Sequence, residues 1–273
     1  MPQIDIMALA NILRDAARAE ALPRFRRLDA SMVQVKTEAI DLVTEADVAT
    51  EEVIKARLAE QMPDALFVGE ESVAADPALL LRLADADLAV VVDPIDGTAN
   101  YAAGLPLFAT MAAVVSKGET IAGIIYDPMG DDWVMAEKGG GAWLRRPNGE
   151  AVRLQVAKPL PLAQMVGCVS VSYLPVDKRA EVLANLAQVR VVSNFRCAGH
   201  EYRTLVSGHA QFGCWNKLMP WDHLAGTLMA QEAGAYAARL DGQPYLPHHV
   251  DGGLLVAMDQ DAWQELRREV FTF

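Results

Sequence analysis

Three features are scarce in this 273-residue sequence: basic side chains, long apolar runs and paired cysteines. Its 24 lysines and arginines stand against 36 acidic residues, a net charge of −12, whereas a general nucleic-acid binder needs cations to neutralise phosphates. The longest apolar runs, such as residues 88–92, are far shorter than the roughly 20 residues that cross a bilayer. Three widely spaced cysteines without a CxxC motif favour neither a disulfide framework nor a zinc site, and residues 1–5 lack the features of a secretory signal. We therefore expect a cytoplasmic protein without a membrane span and without general nucleic-acid binding.

The composition is that of a folded protein with a large core. Hydrophobic residues make up 52% of the chain and charged residues 22%, a balance that excludes intrinsic disorder for most of its length. No internal repeat or low-complexity segment is present. A proline-rich link at residues 158–161 divides a single predicted unit into an N-terminal half, about residues 1–157, and a C-terminal half, about residues 158–273.

The periodicity of apolar residues predicts a layered α/β protein with mixed sheets. The chain opens with an amphipathic helix at residues 4–26, and a second helix begins at a capping box formed by Thr44 and Asp47. The strands predicted in the N-terminal half are residues 65–68, residues 88–92 and a meander between residues 109 and 156. In the C-terminal half, strands alternate with helices, and the predicted ranges are strand 165–171, helix 177–188, strand 190–195, helix 200–208, strand 210–215, helix 222–233, strand 253–258 and helix 259–270.

A DPIDGT motif at residues 93–98 follows a predicted buried strand, at the kind of strand end where α/β proteins carry their chemistry. Asp93 and Asp96 supply two carboxylates. Gly97 allows the backbone to approach a ligand closely, and Thr98 adds a hydroxyl and an amide. If a helix begins after Thr98, its free N–H groups favour an anion such as phosphate. The alternative is an ordinary Asp-Pro turn with a bend at the following Asp-Gly pair.

Further acidic residues lie at the ends of predicted strands and helices. Glu70 and Glu71 end the preceding strand, and Asp222 begins a predicted helix. Together with Asp93 and Asp96 they supply only oxygen ligands, which hard cations such as Mg²⁺ prefer. Converging carboxylates without a cation would repel one another and raise one another's pKa values, and bound metal would relieve that repulsion. The acids therefore predict a Mg²⁺ site at which an anionic substrate can bind.

The motifs GEES at residues 69–72, DPIDGT at residues 93–98 and WDHLAG at residues 221–226 resemble those of the inositol monophosphatase family in order and in spacing. Lys36 and the segment DLVTEAD at residues 41–47 resemble that family's N-terminal motif. The resemblance spans about residues 30–260. It implies an αβαβα layered fold of the inositol monophosphatase and fructose-1,6-bisphosphatase type. It also implies a Mg²⁺-dependent, lithium-sensitive phosphomonoesterase, commonly a homodimer, that acts on a small phosphorylated metabolite.

The resemblance also implies a set of metal ligands, most of them in the N-terminal half. Glu70, Asp93 and the carbonyl oxygen of Ile95 would hold one Mg²⁺. Asp93, Asp96 and Asp222 would hold a second, and a weaker third would lie near Glu70. Two cations about 3.5–4 Å apart suit an in-line displacement at phosphorus.

For the substrate phosphate, the resemblance implies binding by the amides of Gly97 and Thr98. Glu70 and Thr98 would orient the attacking water, and Asp47 would support the Thr98 hydroxyl. A covalent route through an aspartyl phosphate belongs to a different class, whose motif is Asp-x-Asp-Gly-Thr. That route is disfavoured because Pro94 takes the place of the nucleophile.

The substrate is predicted less narrowly than the reaction. The residues expected to contact it are Gly199, His200, Glu201, Lys217 and Asp222. Family members that prefer inositol usually carry a glutamate seven residues before the aspartate of the last motif, and here that position is Trp215. Lys217 could reach a second anionic group. The first prediction is a phosphorylated polyol or sugar resembling inositol 1-phosphate. Histidinol phosphate, fructose 1,6-bisphosphate, a 3′-phosphonucleotide, and a non-catalytic role bound to RNA or the transcription machinery remain alternatives.

Overall fold

The computed structural model describes residues 5–29, 32–35 and 42–273 of the chain. Lys36 and Asp41 of the N-terminal motif lie outside the described residues, as does the predicted start of the first helix at residue 4. Within the described ranges, no helix combines the length and the apolar character that a membrane crossing requires.

The described helices are α1 (Ile6–Ala16), α2 (Leu22–Arg24), α3 (Glu45–Gln61), α4 (Glu70–Ala75), α5 (Ala78–Leu83), α6 (Thr98–Ala102), α7 (Val176–Leu186), α8 (Ala198–Val206), α9 (Pro220–Glu232) and α10 (Gln260–Glu269). A π-helical turn, Ala17–Ala21, joins α1 to α2, and 3₁₀ turns lie at Leu162–Gln164 and Val171–Tyr173. The described strands are β1 (Val33–Val35), β2 (Leu42–Thr44), β3 (Leu66–Gly69), β4 (Ala89–Asp96), β5 (Ala109–Ser116), β6 (Glu119–Asp127), β7 (Asp132–Glu137), β8 (Gly141–Arg145), β9 (Ala151–Arg153), β10 (Val166–Val169), β11 (Val191–Ser193), β12 (Phe212–Trp215), β13 (Tyr236–Arg239) and β14 (Leu254–Ala257).

In the described part of the chain, these strands form three sheets. A seven-stranded sheet runs in the order β3-β4-β5-β6-β7-β8-β9, with β3 and β4 parallel and every other pair antiparallel. A five-stranded sheet runs in the order β11-β10-β12-β14-β13, with β10 parallel to both of its neighbours. The short strands β1 and β2 pair with each other.

The two large sheets and the helices stack in five layers. Helices α1 and α3 cover one face of the seven-stranded sheet, α8 and α9 lie between the two sheets, and α7 and α10 cover the far face of the five-stranded sheet. Strand β4 lies between two helical layers, and all of its residues are buried. Val90 and Val92 pack with α1 and α3, whereas Val91 packs with α8 and α9, since successive side chains of a strand point to opposite faces. The predicted αβαβα fold is confirmed.

Two glycines allow close contacts at helix α9 in the middle helical layer. A Cβ atom on Gly123 of β6 would lie 2.8 Å from Cα of Ala225 in α9. A Cβ atom on Gly226 of α9 would lie 2.1 Å from the ring of Tyr202 in α8. No larger residue fits at either position without a shift, so the first contact sets the distance of α9 from the seven-stranded sheet and the second sets its distance from α8.

Most predicted ranges match observed elements within a few residues, and the differences concern short elements. The predicted first helix corresponds to α1, the π-helical turn and α2. Strands β1, β2 and β13 and helices α4 and α5 were not predicted. Helices of six residues are too short for a 3.6-residue pattern to show, and β13 is an edge strand that exists through its pairing with β14.

Candidate active site

A cavity of about 750 Å³ opens where the carboxyl ends of β3 and β4 face the start of α9. It is lined by the acidic residues Glu70, Asp93, Asp96 and Asp222. It is also lined by residues at or just after the ends of β10, β11 and β12. We call this second group the distal wall, and it comprises Ser170, Ser172, Tyr173, Asn194, Arg196, Trp215 and Lys217. The seven-stranded sheet, the five-stranded sheet and the middle helical layer therefore all contribute to one cavity.

Three acidic residues form a compact carboxylate cluster, defined as Asp93, Asp96 and Asp222. Each offers one oxygen, and these oxygens lie within 4.8 Å of one another. Asp93 and Asp96 are buried, and Asp222 is half-buried. Burial raises the pKa of Asp93 well above its ordinary value, and the negative charges of Glu70, Asp96 and Asp222 raise it further. Among the described residues, Asp93 Oδ1 has no hydrogen-bond partner. A buried carboxylate oxygen without a donor, beside other carboxylates, fits a site for a divalent cation.

A bulge in β4 turns the acidic side chains toward the cavity. Asp93 pairs with Met111 of β5 and Asp96 pairs with Ala109, so the register shifts between them. Thr110 bridges the irregular segment by donating its hydroxyl to the carbonyl of Pro94 at 2.9 Å. Bulges recur beside active sites because they redirect side chains that a regular strand would point elsewhere.

The N-terminus of α8 holds the carboxylate of Asp96 in place. The Cys197 thiol donates to Oδ2 at 3.0 Å, the Gly199 amide donates to Oδ2 at 2.6 Å, and the Ala198 amide donates to Oδ1 at 3.1 Å. Burial raises the pKa of Asp96, and these three donors act in the opposite direction. Asp96 thereby links β4 to the middle helical layer.

This arrangement does not support the expected substrate contacts of Gly199 and His200. Gly199 faces the sheet, where an added Cβ atom would lie 2.9 Å from Cβ of Ala109 and 3.0 Å from Oδ2 of Asp96. His200 Nε2 lies 3.2 Å from the carbonyl oxygen of Phe108. Both residues lie on the first turn of α8, and neither lines the cavity. The Gly199 amide instead holds the carboxylate of Asp96.

The turn after β4 requires glycine at position 97. Gly97 has a φ of +85°, and an added Cβ atom would lie 2.9 Å from the carbonyl oxygen of Leu107. Helix α6 begins at Thr98, so the amides of Gly97 and Thr98 lie where a helix supplies no acceptors of its own. Both residues line the cavity beside the carboxylate cluster.

Asp47 connects the capping box of α3 to this turn. Its Oδ2 accepts hydrogen bonds from the amide of Thr44 at 2.9 Å and from the Thr44 hydroxyl at 2.6 Å, which confirms the predicted capping box. Its Oδ1 lies 3.0 Å from Oγ1 of Thr98, and that hydroxyl also lies 2.9 Å from the carbonyl oxygen of Ile95. Burial is the main cause that raises the pKa of Asp47 to about 6.

Glu51, whose role the sequence did not reveal, holds the segment that carries Glu70. Its buried carboxylate accepts from the amide of Glu71 at 2.7 Å, the amide of Ser72 at 2.8 Å and the hydroxyl of Ser72 at 2.6 Å. An added Cβ atom on Gly69 would lie 2.3 Å from Cδ of Glu51, so a larger residue there would displace the Glu51 carboxylate. The available signal was the spacing of Glu51 four residues after Asp47, which places both acids on one face of α3.

A buried pair, Glu201 and Trp215, forms the back of the distal wall. The indole Nε1 of Trp215 donates to Oε2 of Glu201 at 2.6 Å, and the amide of Phe195 donates to Oε1 at 2.8 Å. Trp215 also stacks on Tyr202, with ring centroids 4.5 Å apart. Burial raises the pKa of Glu201 to about 7. Each oxygen of Glu201 thus already has a donor, so Glu201 holds Trp215 and the backbone at Phe195 in place.

Comparison with known proteins agrees with the resemblance seen in the motifs. A model of the inositol monophosphatase family matches residues 5–271. An inositol-1-monophosphatase of Mesorhizobium japonicum is 32% identical over 235 residues, which cover 84% of this chain and 83% of the relative. A histidinol-phosphatase of Streptomyces coelicolor is 31% identical over 248 residues, covering 88% of this chain and 89% of the relative.

The same likeness is found among solved structures. The extragenic suppressor protein suhB of Bartonella henselae superimposes with a TM-score of 0.82 at 26% identity, covering 98% of this chain and 99% of that chain. The match of fold and the match of sequence therefore cover nearly the same residues. Since the family model spans all but the ends of the chain, this protein belongs to the inositol monophosphatase family and is a phosphatase that hydrolyses phosphate monoesters.

Proposed function

We propose that this phosphatase is Mg²⁺-dependent and hydrolyses a small phosphorylated polyol or sugar of the size and polarity of inositol 1-phosphate. One observation carries the metal requirement: Asp93 Oδ1 is buried without a donor among the described residues, beside two further carboxylates. Members of the family are generally metal-dependent, which agrees with that donor set. The cavity of about 750 Å³ is large enough for a phosphorylated six-carbon ring.

The proposed metal ligands are those implied by the sequence. Glu70, Asp93 and the carbonyl oxygen of Ile95 would hold one Mg²⁺, Asp93, Asp96 and Asp222 would hold a second, and a weaker third would lie near Glu70. When bound, these cations would neutralise charge on the phosphate and make water a stronger nucleophile.

The protein's own groups would orient the water and the phosphate. The Thr98 hydroxyl has acceptors in Asp47 and the Ile95 carbonyl, so its proton can point away from the cavity and a lone pair can face a water there. The Glu70 carboxylate, which also lines the cavity, would accept the second hydrogen bond of that water. The amides of Gly97 and Thr98 would donate to phosphate oxygens. Asp222, which is half-buried, would also accept a hydrogen bond from the substrate.

The test is release of inorganic phosphate from four esters: inositol 1-phosphate, histidinol phosphate, fructose 1,6-bisphosphate and adenosine 3′,5′-bisphosphate. Each is assayed with Mg²⁺, with excess chelator, and with chelator followed by Mg²⁺. We expect hydrolysis that stops with chelator and returns with Mg²⁺. Hydrolysis that persists in excess chelator would contradict the proposed metal dependence.

Three finer properties are proposed from the resemblance to the family. The enzyme is inhibited by lithium, it forms a homodimer, and it works in the cytoplasm. Adding lithium chloride to the phosphate-release assay tests the first, size-exclusion chromatography with light scattering tests the second, and cell fractionation tests the third. An elution mass near 29.6 kDa would contradict the dimer.

A further inference from the structure

The four residues that join β12 to α9 form a part of the cavity. We call residues 216–219 the β12–α9 loop. Lys217 and Met219 of this loop line the cavity, and so do the residues on either side of them, Trp215 and Trp221. The loop is separate from the turn after β4, where the phosphate is proposed to bind. Its shape therefore bears on the part of the cavity left for the organic portion of a substrate.

His223 of α9 holds the backbone of this loop. Its ring is buried, with Nε2 2.9 Å from the carbonyl oxygen of Lys217 and Nδ1 3.2 Å from the hydroxyl of Tyr202. A carbonyl oxygen can only accept a hydrogen bond, so Nε2 must carry a proton. Neither partner is an anion, and a charged ring buried between them would be costly, so Nδ1 carries no proton and accepts. The two contacts thus select one neutral tautomer of His223.

Tyr202 and Thr227 extend this hydrogen bond into a buried chain. The Tyr202 hydroxyl donates its proton to Nδ1 of His223, so it must accept at its remaining contact, the Thr227 hydroxyl 3.2 Å away. Thr227 lies four residues after His223, on the same face of α9. All three side chains are buried. The chain therefore runs in one direction, from Thr227 through Tyr202 and His223 to the carbonyl of Lys217, and each donor in it has an acceptor.

The ring of His223 also packs at the start of the loop. Its centroid lies 5.4 Å from that of Trp215, the last residue of β12, and Trp215 stacks on Tyr202 at 4.5 Å. At the middle of the loop, the amide of Leu218 donates to the carbonyl of Val250 at 2.9 Å. His223 thus holds the first half of the loop both by packing and by a hydrogen bond.

We propose that His223 is a positioning residue for substrate binding, whose Nε2–H holds the β12–α9 loop in the shape that fits the organic part of the substrate. The inference rests on the proposed place of the phosphate and adds a residue that sets KM. A loop that spends less time in its binding shape weakens the apparent affinity in proportion. Helix α9, which carries Asp222, keeps its own close contacts with β6 and α8, so kcat should be preserved.

Steady-state kinetics of the full-length protein with Mg²⁺ test the inference. The substrate is whichever of the four esters named above has the highest kcat/KM, and inorganic phosphate serves as a product inhibitor without an organic part. His223→Leu removes the N–H donor and should raise KM about five- to tenfold, while kcat and the inhibition constant of phosphate change less than about twofold. His223→Gln should keep KM within about twofold of the wild type, because its side-chain amide can donate in place of Nε2.

Two further variants complete the series. Tyr202→Phe keeps the ring that stacks on Trp215 but removes the donor to Nδ1, and it should raise KM about two- to fivefold. His209→Leu, at an exposed position outside the cavity lining, is the matched control and should change no constant. An equal rise in KM and in the phosphate inhibition constant, or equal losses in His223→Gln and His223→Leu, would overturn the inference, because a merely structural role predicts both.

Nuclear magnetic resonance of the wild type gives a readout that needs no substrate. In protein labelled with ¹⁵N-histidine, the correlations between ring nitrogens and carbon-bound ring protons identify the tautomer of each histidine near neutral pH. The signals of His223 are those missing from the spectrum of His223→Gln. We expect the neutral tautomer with its proton on Nε2. A proton on Nδ1 would leave the Lys217 carbonyl without this donor and would overturn the inference.

The outcomes also separate this inference from the proposed function. Hydrolysis that persists in excess chelator contradicts the Mg²⁺ requirement, yet the comparison of KM with the phosphate inhibition constant still decides the role of His223. If none of the four esters is hydrolysed, calorimetric binding of inositol 1-phosphate and of inorganic phosphate decides instead. A Kd that weakens in His223→Leu for inositol 1-phosphate alone supports the inference, and equal changes for both ligands overturn it.

Discussion

Asp93 is a carboxylate whose surroundings oppose its ionisation. Burial removes it from water, and the nearby charges of Glu70, Asp96 and Asp222 raise its pKa further. Its neighbour Asp96 has three donors from the start of α8, whereas Asp93 Oδ1 has none among the described residues. Without a cation, the folded protein must either protonate Asp93 or tolerate the repulsion.

The first prediction concerns the variant Asp93→Asn. It should lower kcat by more than about a hundredfold, because it removes a ligand expected to contact two cations. It should also leave the free energy of unfolding in excess chelator equal to or higher than that of the wild type, because one buried charge is removed. Phosphate release and urea unfolding measure the two effects. The control is Asp85→Asn at an exposed position, and near-wild-type turnover of Asp93→Asn would refute its assigned role.

The second prediction concerns the pH dependence caused by Glu201. Burial raises its pKa from 4.5 to about 7 in the folded protein, so the folded state binds this proton more tightly than the unfolded chain does. The contribution of Glu201 to stability is therefore complete below pH 4.5 and is lost as the pH rises through about 7. The change amounts to about 3 kcal/mol for a shift of this size.

Urea unfolding of the wild type and of Glu201→Gln, in chelator from pH 4 to pH 8, isolates that change. The amide substitution adds a constant cost, because one hydrogen-bond acceptor becomes a donor, but the pH-dependent part should disappear. Glu60→Gln, at an exposed position, controls for the loss of one negative charge from the chain. A difference between wild type and Glu201→Gln that does not vary with pH would show that Glu201 is not the titrating group.

At the scale of secondary-structure elements, short helices hold the site residues in place. Helix α4 has only six residues, too few to be stable alone, and it begins at Glu70. Glu51 of α3 supplies acceptors for its first amides and for the Ser72 hydroxyl. The position of Glu70 therefore depends on a side chain from a different helix.

The third prediction is that Glu51→Ala releases the start of α4. Three hydrogen bonds are lost and two amides lose their acceptor, so we expect a destabilisation of about 2–4 kcal/mol. Amide hydrogen exchange at Glu71 and Ser72 should accelerate, and half-saturation of activity by Mg²⁺ should move to higher concentration. Glu52→Ala, the exposed neighbour, is the matched control. Unchanged exchange at Glu71 and Ser72 would show that another contact holds the helix.

The sequence predicted some of these elements better than others, for physical reasons. The apolar first half of β4, residues 89–92, and the DPIDGT motif were visible because both are local patterns. Gly199 was expected to contact substrate, yet it binds Asp96, a relation between residues far apart in the chain that only the folded arrangement reveals. The role of Glu51 was missed for the same reason, since an acid on a helix is usually exposed. The hydrogen bonds of Gly199 and Glu51 could not be predicted because they join residues that are far apart in the sequence.

At the scale of the whole molecule, the middle helical layer joins the two sheets. One hydrophobic cluster contains residues of β4 and β5, of α8 and α9, and of β12 and β14. We therefore propose that the N-terminal and C-terminal halves fold as one cooperative unit and do not act as separate domains. Asp222 at the start of α9 and Asp93 on β4 reach the same cavity because of that layer.

The fourth prediction is that Mg²⁺ raises the midpoint of a single unfolding transition. The carboxylate cluster combines residues from both halves, so metal that binds only the folded form stabilises the entire molecule. At a hundred times its Kd, Mg²⁺ should add about 2.7 kcal/mol. Thermal unfolding followed by near-UV and far-UV circular dichroism should give coincident curves that shift together.

The same experiment on Asp93→Asn is the control, and its midpoint should not respond to Mg²⁺. Two separate transitions, one of them insensitive to Mg²⁺, would show that the halves are independent domains. A shift of equal size in wild type and in Asp93→Asn would place the responsible metal elsewhere on the protein.

The distal wall and the carboxylate cluster differ in how freely they can change over evolutionary time. Ser172, Asn194 and Arg196 are exposed residues outside the strands, so mutations there leave both sheets intact. Asp93 and Asp96 lie on a strand that is buried throughout, where a larger side chain would disturb the interior. Substitutions in these segments can therefore change the shape and charge of the cavity while the buried strand that carries Asp93 and Asp96 keeps its place in the fold.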